Sequence, residues 1–150
     1  MPIEITNTRR IEAACEQVFH AFANPTQLAQ WWGPAGFTNT VPEFDFRPGG
    51  LWRIVMRAPD GNIYDNRARF LEIVRPERIV YEHLQPMHTF TMTMHHRALS
   101  PQATELSWHM CLERNEQHER LQEFLHQANE QNFDRLGVFL AANPPPPGSP

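Results

Sequence analysis

"LWRIVMRAPDGNIYDNRARFLEIV" runs from Leu51 to Val74 and carries the pattern that decides the fold. Trp52, Ile54 and Met56 fall on one side of an extended chain, and Arg53 and Arg57 on the other. Successive side chains of a strand point to opposite faces, so this alternation reads as a half-buried strand. Asp60-Gly61 then supplies a hairpin turn, because both central positions of the favoured tight turns need residues that tolerate a left-handed backbone. Beyond it Tyr64, Asn66, Ala68 and Phe70 alternate with Asp65, Arg67 and Arg69. Two strands with one apolar and one charged face predict an antiparallel sheet with one wet side.

The same period of two extends in both directions. Upstream, "EFDF" alternates acid and aromatic, and "RPGG" turns the chain into Leu51. Downstream, "IVYEHL", "TFTMTMHHRAL" and "TELSWHMCLE" predict three more strands. The last sends Leu106, Trp108, Met110 and Leu112 one way, and Glu105, Ser107 and His109 the other. Residues 3–11, "IEITNTRRI", read as a first strand. Between it and the sheet, Val18, Phe19 and Phe22 show helical spacing, and Asn24-Pro25 ends that helix and opens a second, "TQLAQWW". There Leu28 and Trp32, four apart, share one helical face, while Trp31 points about 100 degrees away.

A long helix is predicted from about Glu116 to Leu140, with Asn115 as its N-cap. Leu121, Phe124, Leu125, Ala128, Leu136, Phe139 and Leu140 trace its apolar stripe. The order is strand, two helices, strands, long helix. It predicts an α+β domain over residues 1–142, a curved antiparallel sheet of about six to seven strands against the C-terminal helix. Residues 143–150, "NPPPPGSP", are expected to form a disordered tail.

Composition narrows the function. Acidic residues number 17 against 13 basic, a net charge of −4, which argues against a nucleic-acid surface. Every basic residue is arginine, so chemistry that needs a Schiff-base or phosphate-loop lysine is excluded. No signal-peptide pattern or membrane span is visible, and a cytoplasmic protein with Cys15 and Cys111 reduced is expected. The eight histidines show no ligand spacing: His95 and His96 are adjacent, and His118 and His126 are eight apart. No metal, cofactor or catalytic motif is expected. Asp45 and Arg47 read as a surface ion pair.

The residues that carry chemistry are those with which such a sheet and helix can line a cavity. Trp32, Trp52, Ile54, Met56, Tyr64 and Tyr81 are expected there, with Met94, His96, Trp108 and Met110 from the later strands. Phe124, Asn132 and Leu136 are expected from the helix. Asn132 lies near the centre of the apolar stripe, where an amide without partners costs about 1–3 kcal/mol. It therefore bonds the backbone or water, or faces a cavity.

The segments "FANPTQLAQWWGPAGFT", "EFDFRPGGLWRIVM", "FLEIVRPERIVY" and "TELSW" resemble, in this order, the START-like helix-grip superfamily. They are most similar to the branch named after the activator of the heat-shock-protein ATPase. The resemblance covers residues 8–142 and implies a curved sheet gripping the last helix around an apolar cavity. It implies binding of a hydrophobic small molecule, aromatic or lipid-like, and carries over no catalytic residue. Related branches also include cyclases, which would place an acid–base role on His96 or a tyrosine. The family name implies the heat-shock ATPase as a partner, but the N-terminal domain of the two-domain co-chaperone is not expected here. Homodimerisation is compatible with the resemblance, although no segment specifies an interface. Ala68 stands where the family carries a strand glycine, which is expected to narrow the cavity slightly.

Overall fold

The computed structural model describes residues 1–85 and 89–144. Its elements are β1 (Ile3–Ile11), α1 (Cys15–Ala23), α2 (Pro25–Trp31), β2 (Thr38–Phe44), β3 (Leu51–Arg57), β4 (Ile63–Val74), β5 (Arg78–Gln85), β6 (Phe90–Ser100), β7 (Ala103–Leu112) and α3 (Glu116–Ala142). The seven strands form one antiparallel sheet in the order β1-β7-β6-β5-β4-β3-β2. The α+β helix-grip expectation therefore holds. The loop read as short at Gln85–Thr89 and the tail expected at 143–150 lie largely outside the described residues; of the tail, Asn143 caps α3.

Local chemistry explains the boundaries. The Asn24 side chain accepts from the backbone N–H groups of Thr26 and Gln27, and Pro25 occupies the first turn of α2. Asn115 accepts from His118 N at 2.8 Å and opens α3 as expected. Asp60 accepts from Asn62 N at 2.9 Å, and Gly61 adopts φ +90° in the β3–β4 turn. Gly50 has a different reason to be glycine. A Cβ there would stand 1.9 Å from the carbonyl oxygen of Asp45, because the "RPGG" turn folds its own backbone against itself. Edge strand β2 carries Pro42 and a register irregularity between Thr40 and Glu43, both of which blunt edge pairing.

The inner face of the sheet holds the core. Ile3 and Ile5 on β1, Trp52 and Ile54 on β3, Phe70 on β4, Met92 and Met94 on β6, and Leu106, Trp108 and Leu112 on β7 are all buried. On α3 the buried stripe is Leu125, Asn129, Asn132, Phe133, Leu136 and Leu140. It is rotated from the expected one, since Phe124 is 62% exposed and Phe133 is fully buried. The outer sheet face is charged. Arg53 forks onto Asp65 at 2.9 and 2.8 Å, and Arg47 reaches Asp45 at 2.9 Å, the surface pair read from the sequence.

One polar seam joins α3 to the sheet edge. Asn7 on β1 donates to His126 O at 3.1 Å and to Glu130 Oε2 at 2.8 Å, and accepts from Asn129 Nδ2 at 3.1 Å. Arg9 on β1 bridges Glu130 and Asp134. Buried amides are tolerated because they find partners.

Candidate functional site: a cavity between sheet and helix

A cavity of about 270 Å³ opens between α3 and the inner sheet face. Cross-strand register builds its floor. Trp52 pairs with Ala68, Ala68 with His83, and His83 with Phe90. The next rows are Ile54 with Asn66, and Tyr81 with Met92 and Met110. All of these side chains line the space, and Met56 and Tyr64 extend it. Leu121, Phe124, Leu125, Ala128, Asn129 and Asn132 of α3 close the opposite side. The exposed Phe124 marks the rim.

The tryptophan pair is split between two tasks. Trp31 is the last residue of α2, and its Nε1 donates to Ala21 O at 3.0 Å inside the core. Trp32 has already left the helix, with φ −64° and ψ 141°. Extended backbone rather than helical periodicity therefore sets the direction of Trp32. Its ring meets Trp52 at 5.2 Å, Trp108 at 5.6 Å and Trp31 at 5.5 Å. The loop that follows brings Gly33, Pro34 and Phe37 to the wall.

A single guanidinium holds that loop. Arg135 on α3 donates through Nη1 to the carbonyls of Trp32 (2.8 Å), Gly33 (3.2 Å) and Pro34 (3.0 Å), and through Nη2 to Phe37 O (2.9 Å). Burial lowers its pKa from the ordinary value. Gln131 adds a bond from Ala35 N at 3.1 Å, and Asn39 donates to Trp32 O at 2.8 Å. The mouth of the cavity is thus fastened mainly by side chains that reach backbone carbonyls.

The polar groups of the wall are few, and none among the described residues is an arginine or a carboxylate. Asn66 donates to Tyr64 O at 3.3 Å and meets His83 Nε2 with its Oδ1 at 3.0 Å, so the imidazole carries a proton on Nε2. His83 stacks on Phe90 with centroids 4.7 Å apart. Tyr81 is buried at the cavity wall, and burial holds its pKa above the usual phenol range. Trp52 Nε1 is buried with no partner among the described residues. Asn132 lines the cavity and donates to Trp31 O at a long 3.5 Å, so both alternatives read from the sequence apply to it.

Trp32, Trp52, Ile54, Met56, Tyr64, Tyr81, Met110, Phe124 and Asn132 therefore stand at the cavity as expected. Met94, His96, Trp108 and Leu136 do not. Met94, His96 and Trp108 share the inward sheet face but lie one or more rows further along, and Leu136 lies one turn beyond Asn132 on α3. Met94 pairs with Ile79 and Trp108, and His96 with Leu106, in the half of the sheet that α1 and Phe133 fill. His96 packs against Phe19, and burial depresses its pKa to about 4, so it is a neutral core residue. Asn66, His83, Phe90 and Asn129 were missed. Strand parity alone could have flagged Asn66 and His83, since they alternate with charged residues and stand among aromatics.

No cluster of His, Cys, Asp or Glu among the described residues could hold a metal ion. Cys15 and Cys111 are free thiols. No described helix is long and apolar enough to cross a membrane.

The family model described as "Activator of Hsp90 ATPase homolog 1-like protein" matches residues 12–141. The chain belongs to this family. Solved structures support the same fold. A protein from Chromobacterium violaceum is 29% identical, with 91% of this chain and 96% of that one covered, at a TM-score of 0.79. One from Arthrobacter aurescens is 19% identical over 93% and 86%, at 0.85. The AHSA1 protein of Silicibacter pomeroyi is 16% identical over 95% and 100%, at 0.78. Comparison with curated proteins finds no match.

Proposed function

We propose that this protein binds a hydrophobic small molecule, aromatic or lipid-like, in the cavity between the sheet and α3. The observation that carries the reading is the wall itself. An apolar space of about 270 Å³ is bordered by Trp32, Trp52, Tyr81, Met92 and Met110, with a handful of polar groups and no arginine or carboxylate among the described residues. Ligand sites have this make-up, with apolar surface for affinity and a few fixed polar atoms for orientation. Methionine and aromatic side chains adapt to an irregular guest at low cost.

Native mass spectrometry of freshly purified protein tests it, with extraction and identification of any adduct lost on denaturation. The control is Ala68→Leu. Ala68 lies between Trp52 and His83 on the cavity floor, so a larger side chain there fills the space rather than the core. The wild type should carry or take up small apolar compounds, and the variant should take up at least about tenfold less, a difference of about 1.4 kcal/mol, with its fold unchanged. Equal uptake by both proteins would refute the cavity as the binding site.

A further inference from the structure

The amides of the helix wall have fixed orientations, and these select the ligand. The chain of reasoning starts at Glu130. Its carboxylate and the His126 carbonyl can only accept, so Asn7 turns its Nδ2 to both. Asn7 Oδ1 is then left to face Asn129, which answers with Nδ2 at 3.1 Å. Asn129 is buried and lines the cavity, and its Oδ1 has no partner among the described residues. Asn132, one turn further on the same face, directs its Nδ2 to Trp31 O and likewise leaves Oδ1 without a partner among the described residues. Two amide oxygens, on residues that are each more than nine-tenths buried, therefore border the space with no donor to them among the described residues. An acceptor that a guest covers without matching is costly, so the guest that fits is one that supplies the donor.

We infer that the ligand is an uncharged molecule with an apolar body and a hydrogen-bond donor, a hydroxyl above all, which Asn129 and Asn132 receive. A hydroxyl also accepts, and the Tyr81 O–H on the opposite wall makes no hydrogen bond among the described residues. A carboxylate fits badly. It would bring negative charge against two carbonyl oxygens, in a space that no described arginine lines to offset its desolvation. This inference rests on the reading of the cavity as a ligand site.

Three matched probes test it on the full chain by titration calorimetry at neutral pH: 2-naphthol, 2-methylnaphthalene and 2-naphthoate. They share one body and differ in a donor, a methyl and a carboxylate. The naphthol should bind about tenfold tighter than its methyl analogue, and the naphthoate weakest of the three. Asn132→Leu removes one acceptor at the loss of a single long hydrogen bond, and should cut the naphthol's advantage to about threefold or less. Equal affinity for naphthol and methylnaphthalene overturns the donor requirement while leaving the cavity a binding site. Tightest binding of the naphthoate overturns the exclusion of charge. Binding of none of the three overturns this inference and the cavity reading together.

Discussion

Replacement of Arg135 by glutamine should loosen the mouth of the cavity before it loosens the fold. The wild-type guanidinium makes four hydrogen bonds of 2.8 to 3.2 Å to the carbonyls of Trp32, Gly33, Pro34 and Phe37. A hydrogen bond from a charged donor is worth about 1.5–3 kcal/mol, and four taken at face value would exceed 6. They do not add. One ordered arginine costs about 2 kcal/mol of rotamer freedom, the group is partly desolvated, and the released carbonyls of Pro34 and Phe37, which flank the exposed Ala35–Gly36 segment, regain water. A net loss of about 2 kcal/mol is expected, equivalent to a fall of about 4–8 °C in Tm for a domain of this size. Arg135→Lys should lose most of the same amount, because an ammonium lacks the fork that spans the loop. Calorimetry gives the first number and amide hydrogen exchange gives the second: exchange should rise at residues 33–37 by more than in β5–β7. A variant with unchanged Tm and unchanged exchange in that loop would refute the role assigned to Arg135.

Further predictions concern the core and the turns. Burial depresses His96 from 6.5 to about 4, so between those values the unfolded chain binds the proton and the folded one does not. Stability should therefore fall as pH drops from about 6.5 towards 4, by a total of about 3 kcal/mol, and then level off. His96→Met should flatten that limb of a Tm-against-pH curve, and an unchanged slope would reassign it to another group. Gly50→Ala drives a Cβ to within 1.9 Å of Asp45 O and should cost more than about 4 kcal/mol. Gly61→Ala, at φ +90° with nothing within 4 Å, should cost only about 1–2 kcal/mol in urea unfolding. Equal losses would mean that the turn relaxes away from the Asp45 carbonyl and that the contact does not decide Gly50.

How much of this was legible in the sequence follows from what each pattern encodes. Alternation gave the inward faces of β3, β4 and β7 correctly, because parity along a strand is a local property. It says nothing about which row across the sheet a residue joins. Met92 and Met94 share a face, yet only Met92, level with Tyr81 and Met110, reaches the cavity. The same blindness put His96 at the site and passed over His83. Trp32 was expected at the cavity from a helical wheel, whereas the chain stops being helical one residue earlier. The Arg135 clamp had no sequence signal, since its acceptors are backbone carbonyls about one hundred residues away.

The aromatic cluster has an optical consequence. All four tryptophans of the chain belong to it, with Trp32 at 5.2 to 5.6 Å from each of the other three. Excitation at such spacings migrates among the indoles far faster than it is emitted, so they fluoresce as one collective emitter, and their near-ultraviolet transitions couple into a strong circular-dichroism signal. Trp32 and Trp52 border the cavity. An occupant that accepts energy from either ring would dim the emission of the whole protein, which makes the unlabelled chain its own sensor of filling.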